Sequence, residues 1–143
     1  MYRRVLLCYD GTREGRRALR QGADIVVSMA AQAYLLAIHQ HLVTRAIPDA
    51  VTPALVECED RRAQALLEEG VAWLRERGVL AEGSLEFGAA VDCIATFAQR
   101  VGADLIVVGH KQRGPLARWW TASEEESLLE RVRCSILVAV EDD

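Results

Sequence analysis

At 143 residues, 51% of them apolar, the chain is long enough to bury one substantial core and too short for two, so a single domain over 1–143 is expected. A net charge of −4 argues against the concentrated basic face that nucleic-acid binding requires. No apolar run approaches the roughly 20 residues of a bilayer span, and the stretch from Val5 to Tyr9 after Arg3-Arg4 is too short for a signal peptide. The expectation is therefore a cytoplasmic protein with no nucleic-acid or membrane partner. Cys8, Cys58, Cys93 and Cys134 are widely spaced, with no Cys-x-x-Cys pair, and read as buried reduced thiols.

In chain order, Val5 to Tyr9 is a short apolar run stopped by the turn-and-cap cluster Asp10-Gly11-Thr12, which makes a buried first strand. From about Thr12 to Met29, Leu19, Ala23, Val26 and Val27 recur at helical spacing while Arg13, Arg16, Arg17 and Arg20 take the other face. Tyr34 to Ile38 is a second buried strand ending at His39-Gln40-His41. A connection carrying Pro48 and Pro53 follows, long for an α/β unit, and residues 42–55 read as a candidate lid. Ala63, Leu66, Leu67, Val71 and Leu74 mark a second helix ending near Gly78.

Ser84 to Phe87 is a weaker strand closed by Gly88. Val91, Ile94, Phe97, Ala98 and Val101 share one face of a third helix, with Gly102 as its stop. Leu105 to Val108 is the clearest strand, four β-favouring residues with no polar alternation, which implies burial on both faces. After a loop from Gly109 to about Ala122, Ser123 and Glu126 have the spacing of a capping box for a last helix, and Ile136 to Val140 is the fifth strand.

Alternating buried strands and helices imply an α/β fold, a parallel sheet with right-handed crossovers and helices on both faces. In such sheets ligands settle beyond the carboxyl ends of the strands, where strand order reverses. If strands 1 and 4 flank that point, Asp10 and Gly109 face one crevice. The pattern alone leaves the strand order open.

Val5-Leu6-Leu7-Cys8-Tyr9-Asp10-Gly11-Thr12, Gly102-Ala103-Asp104-Leu105-Ile106-Val107-Val108-Gly109 and Cys134-Ser135-Ile136-Leu137-Val138 together resemble the universal stress protein family. The resemblance implies a three-layer sandwich of the adenine-nucleotide alpha-hydrolase-like type, its five-stranded parallel sheet ordered 3-2-1-4-5. It also implies a homodimer through the last strand, Ile136, Leu137, Val138, Ala139 and Val140. The apolar edge of that strand is otherwise a pairing hazard.

Family members that bind ATP carry G-x-x-G-x(9)-G-[ST] after strand 4. Gly109 fits the first position and Ser123 the last, but Gln112 and Ala122 replace the second and third glycines, and Gly114 is displaced from the expected place. Glycine lets backbone amides approach phosphate, so half of the cradle is missing. Glu124, Glu125 and Glu126 occupy the first turn of the last helix, where each carboxylate is itself stabilised and would repel a triphosphate. Lys111, Arg113 and Arg118 return some positive charge. For a bound ATP, ADP or AMP the resemblance puts Asp10 at the ribose, the backbone around Ile38 at the base, and Gly109 with Ser123 at the phosphates. Gly11, Thr12, His110 and Gly114 complete the set.

Each feature has a plainer reading. Asp10 before Gly-Thr is equally a turn and helix-entry device. His39 and His41, on one face, with His110 from strand 4, make a candidate metal triplet, but no acid beside either of the first two supplies an outer partner. Trp119-Trp120 either pack the loop onto the domain or anchor an interface. Ser28, Ser84, Ser123, Ser127 and Ser135 lie in no Gly-x-Ser-x-Gly elbow. The expected function is a non-catalytic, dimeric stress-response or regulatory module with a degenerate nucleotide site and a possible protein partner. The alternatives are an ATP/AMP-binding regulatory module and a nucleotide or metal-assisted hydrolase.

Overall fold

The computed structural model describes residues 1–9, 13–39, 53–110 and 128–140. In chain order the elements are β1 (Arg4–Tyr9), α1 (Arg13–Met29), β2 (Gln32–His39), α2 (Pro53–Glu76), β3 (Ala81–Phe87), α3 (Ala90–Val101), β4 (Leu105–His110) and β5 (Ser135–Val140). A helical stretch at 128–131 leads into β5. The strands form one sheet ordered β3-β2-β1-β4-β5, every neighbouring pair parallel, as the family resemblance implied.

The two faces of the sheet bury separate clusters because strand side chains alternate. Val5, Leu7 and Tyr9 of β1 join Leu35, Ala18, Leu19, Val26, Leu67 and Leu74 under α1 and α2. Leu6 and Cys8 face the other way, with Leu36, Ile106, Ile94, Phe97 and Leu128 under α3 and the 128–131 stretch. Burial on both faces is why β1 and β4 read as unbroken apolar runs. Close approach needs small residues: a Cβ on Gly22 of α1 would lie 2.3 Å from Leu7 Cδ2, so α1 presses onto β1 only with glycine there.

Two boundaries and one burial differ from the sequence expectations. Pro53, expected inside the long connection, is the first residue of α2. The first helical position needs no N–H, so proline starts a helix there instead of breaking one. Residues 53–55 of the candidate lid are thus helical, and 42–52 lie outside the described residues. β3 begins at Ala81, not Ser84, because an edge strand tolerates exposed Glu82 and Gly83 without an apolar run. Of the cysteines, Cys8 is buried and Cys93 and Cys134 are half-buried, but Cys58 is exposed on α2, against the expectation of buried thiols. No described helix is long and apolar enough to cross a membrane.

Candidate functional site

The amino end of the sheet is closed by hydrogen bonds. α3 stops at Gly102, whose φ of 67° is the left-handed conformation that glycine adopts freely, and Ala103 N–H returns to Ala98 O at 2.9 Å. That turn delivers Asp104, whose carboxylate accepts from the amides of Arg3 (2.8 Å) and Arg4 (3.1 Å). Its own amide donates to Arg4 O at 2.9 Å. The Gly-Ala-Asp segment therefore fastens β4 to the start of β1.

At the carboxyl end, among the described residues, the two central strands separate. The β1–β4 ladder runs from Val5–Leu105 to Leu7–Val107, while β1 keeps pairing with β2 as far as Tyr9–Ala37 and β4 with β5 as far as His110–Val140. Each central strand follows its outer neighbour, and the two part beyond Leu7 and Val107. This is the reversal point of the strand order. The crossovers on its two sides lie on opposite faces of the sheet, so among the described residues neither helical layer covers the gap above it.

Three sequence-identified site residues, Ile38, Gly109 and His110, stand on the two sides of the opening. Ile38, half-buried, is the penultimate residue of β2 and packs toward the α3 side. Gly109, half-buried, and the backbone of His110 end β4, paired with Ala139 and Val140. One strand separates β2 from β4, and because β1 and β4 part below this level the two positions stand farther apart than the roughly 10 Å of two paired spacings. Asp10, Gly11, Thr12, Gly114 and Ser123 lie outside the described residues, as do Lys111, Gln112, Arg113, Arg118, Trp119, Trp120 and Ala122 to Glu126.

His39 and His110 end β2 and β4, with β1 between them, and His41 is not described. Among the described residues no cluster of three or more His, Cys, Asp or Glu is placed to hold a metal ion. A thiol near this end of the sheet is suppressed as a nucleophile: burial first, then Glu86 and Asp92, raise the Cys93 pKa. Glu86 is held by Arg100 Nη1 at 3.3 Å.

β5 forms one edge of the sheet. Ile136, Leu137 and Val138 are half-buried and Ala139 is buried, while Leu129 just before the strand is 62% exposed. A cavity of about 660 Å³ along α2 and β3, with Leu67, Val71, Arg75 and Gly83 among its walls, shares no residue with the crevice. Sequence reasoning missed the Asp104 clamp, since its partners are about a hundred residues away and no local pattern marks them.

Comparison with known proteins agrees with this architecture. Similar solved structures include a universal stress family protein from Burkholderia pseudomallei, 23% identical with a TM-score of 0.74, covering 96% of this chain and 95% of that one. A universal stress protein in complex with cAMP is 22% identical with a TM-score of 0.70, covering 96% of each chain. One from Archaeoglobus fulgidus in complex with dAMP is 19% identical with a TM-score of 0.66, covering 96% and 97%. Likeness at these identities speaks for the fold alone. No match is found among curated proteins. The sequence pattern of the Universal stress protein family, however, is matched over residues 1–139, nearly the whole length. With the sheet order and the opening between β1 and β4, that match settles the assignment: the chain belongs to the universal stress protein family.

Proposed function

We propose that the protein is a non-catalytic regulatory module of the stress response, one domain over residues 1–143, cytoplasmic and dimeric, whose crevice no longer holds ATP. The observation that carries this reading is the conjunction of an open switch point at Gly109 with Gln112 and Ala122 in the cradle positions and Glu124, Glu125 and Glu126 behind them. A sequence with two cradle glycines replaced and three carboxylates following them suits a base and sugar better than a chain of phosphates. The experiment is mass spectrometry of small molecules released from freshly purified protein. Absence of ATP supports the proposal, and stoichiometric ATP rejects it.

A second reading keeps an adenine mononucleotide, AMP, as regulatory ligand. It is favoured by the similar structures in complex with cAMP and dAMP, ligands with a single phosphate. A lone Gly109 suits one phosphate better than three. In this reading Asp10, Gly11 and Thr12 serve the ribose, Ile38 the base, and Gly109, His110, Gly114 and Ser123 the phosphate. Thermal stability should then rise with millimolar AMP, because a ligand specific to the folded state stabilises it by mass action. An unchanged melting temperature would exclude it. For the hydrolase alternative, a phosphate-release assay and metal analysis of untagged protein are expected to be null.

Dimerisation is proposed through the β5 edge, Ile136 to Val140, with exposed Leu129 at its margin. Leu137→Glu is expected to give monomers on sizing chromatography, whereas a dimer of unchanged size would refute that interface. A protein partner for the dimer is part of the same proposal.

A further inference from the structure

The seam between α1 and α2 holds a cavity of about 280 Å³ on the opposite side of the sheet from the packing of Ile38. Its floor is Tyr9, the last residue of β1, and Gly70 of α2. A Cβ on Gly70 would lie 2.6 Å from Leu35 Cδ2 and 3.2 Å from the Tyr9 ring, so glycine is what admits the tyrosine beneath α2. The two helices run in the same direction, both returning from carboxyl to amino ends of parallel strands. Arg16 and Arg20, one turn apart on α1, therefore face Glu69 and Trp73 of α2 and Arg77 in the turn just after it.

The charges in this seam do not balance. Arg16 Nη2 reaches Glu69 Oε1 only at 3.9 Å, with both side chains more than half exposed. Arg20 has no partner among the described residues. The Arg77 guanidinium lies over the Trp73 ring, 3.9 Å from its centroid, which fixes the plane of the group while leaving its in-plane N–H donors to other acceptors. Three guanidinium groups and one carboxylate line the space, a local excess of two positive charges in a chain whose net charge is −4. Arg16 moreover stands in the first turn of α1, where the helix dipole disfavours a cation.

We infer that the α1–α2 seam is a binding site for a small organic phosphate, a phosphomonoester dianion, distinct from the crevice between β1 and β4. Two unbalanced guanidinium groups match the charge of a dianion, and their forked donors match phosphate oxygens. Tyr9, Leu19 and Trp73 offer apolar surface to the organic part. The volume falls at or below the lower end of small-molecule pockets, which limits the ligand to a few atoms beyond its phosphate.

The test is titration of the whole protein with inorganic phosphate and with glycerol phosphate, read by amide NMR shifts against a sodium chloride control of equal ionic strength. Saturable shifts at Arg20, Gly70, Trp73 and Arg77 are expected, with glycerol phosphate the tighter ligand. The double variant Arg20→Gln/Arg77→Gln should weaken binding at least about tenfold, since each removes a charge-assisted hydrogen bond. Both side chains are exposed, so its fold should persist; if it does not, Arg20→Gln alone must still weaken binding. Shifts centred on Gly109 and His110 would place the phosphate in the crevice and overturn the proposal. Identical shifts with chloride, or no saturation in the millimolar range, would overturn it as well.

Discussion

At the amino end of the sheet, Asp104 ties the first residues of β1 to the start of β4 through two amides, and Gly102 turns α3 into that clamp. At the carboxyl end the same two strands separate after Leu7 and Val107, leaving Gly109 and His110 paired only outward, with β5. Among the described residues the β1–β4 pair is thus fastened at its amino end and released at its carboxyl end, and local stability differs between the two ends accordingly.

The comparison is broken most severely at its boundary. Leu7 forms the last β1–β4 pair and is 1% exposed, so Leu7→Ala should destabilise the fold by about 2–5 kcal/mol in denaturant unfolding. A loss well below 1 kcal/mol would mean that the strands are not held there. Next in size, Asp104→Ala leaves two strand amides without their acceptor and should lose about 1–3 kcal/mol. Hydrogen exchange at Arg3 and Arg4 should accelerate, with Ile38 and Gly109 little changed. Uniform acceleration across both ends would deny that the clamp is local.

Smaller again is the effect of Gly102→Ala, which forces a side chain into a left-handed turn and toward Arg4 Nη1, 3.0 Å from where its Cβ would stand. A loss of about 1 kcal/mol is expected from thermal melts. The smallest effect concerns thiol chemistry at the open end. Because burial, then Glu86 and Asp92, raise the Cys93 pKa in the folded protein, little thiolate forms at pH 8, and alkylation should be slower than at exposed Cys58. The same sign gives the pH dependence. Stability from the neutral thiol is whole below its ordinary pKa and is lost as pH rises through the raised folded value. Cys93 labelling as fast as Cys58 would contradict this.

What was legible in the sequence follows from which interactions are local. Leu105 to Val108 announce a two-sided buried strand, and Gly102 announces a helix stop, because burial and left-handed turns act on neighbouring residues. The start of α2 was hidden because Pro53 looks like a breaker unless the helix is known to begin on it. The beginning of β3 was hidden because an edge strand shows exposed Glu82 and Gly83 in place of an apolar run. At the site, Ile38 and Gly109 were found by resemblance, while the parting of β1 from β4 and the Asp104 clamp are long-range pairings that no sequence window contains. In the sequence Arg16 and Arg20 show only as the face of the first helix opposite its apolar positions, since only the fold brings Arg20 opposite Trp73 and Arg77.

The claim on which the proposed role turns is that the opening above Leu7 and Val107 lacks a working polyphosphate cradle. Calorimetric titration of the purified protein with magnesium ATP measures this directly. The expected result is no saturable binding up to millimolar ATP. Saturable binding at micromolar ATP, lost on Gly109→Asp, would contradict it.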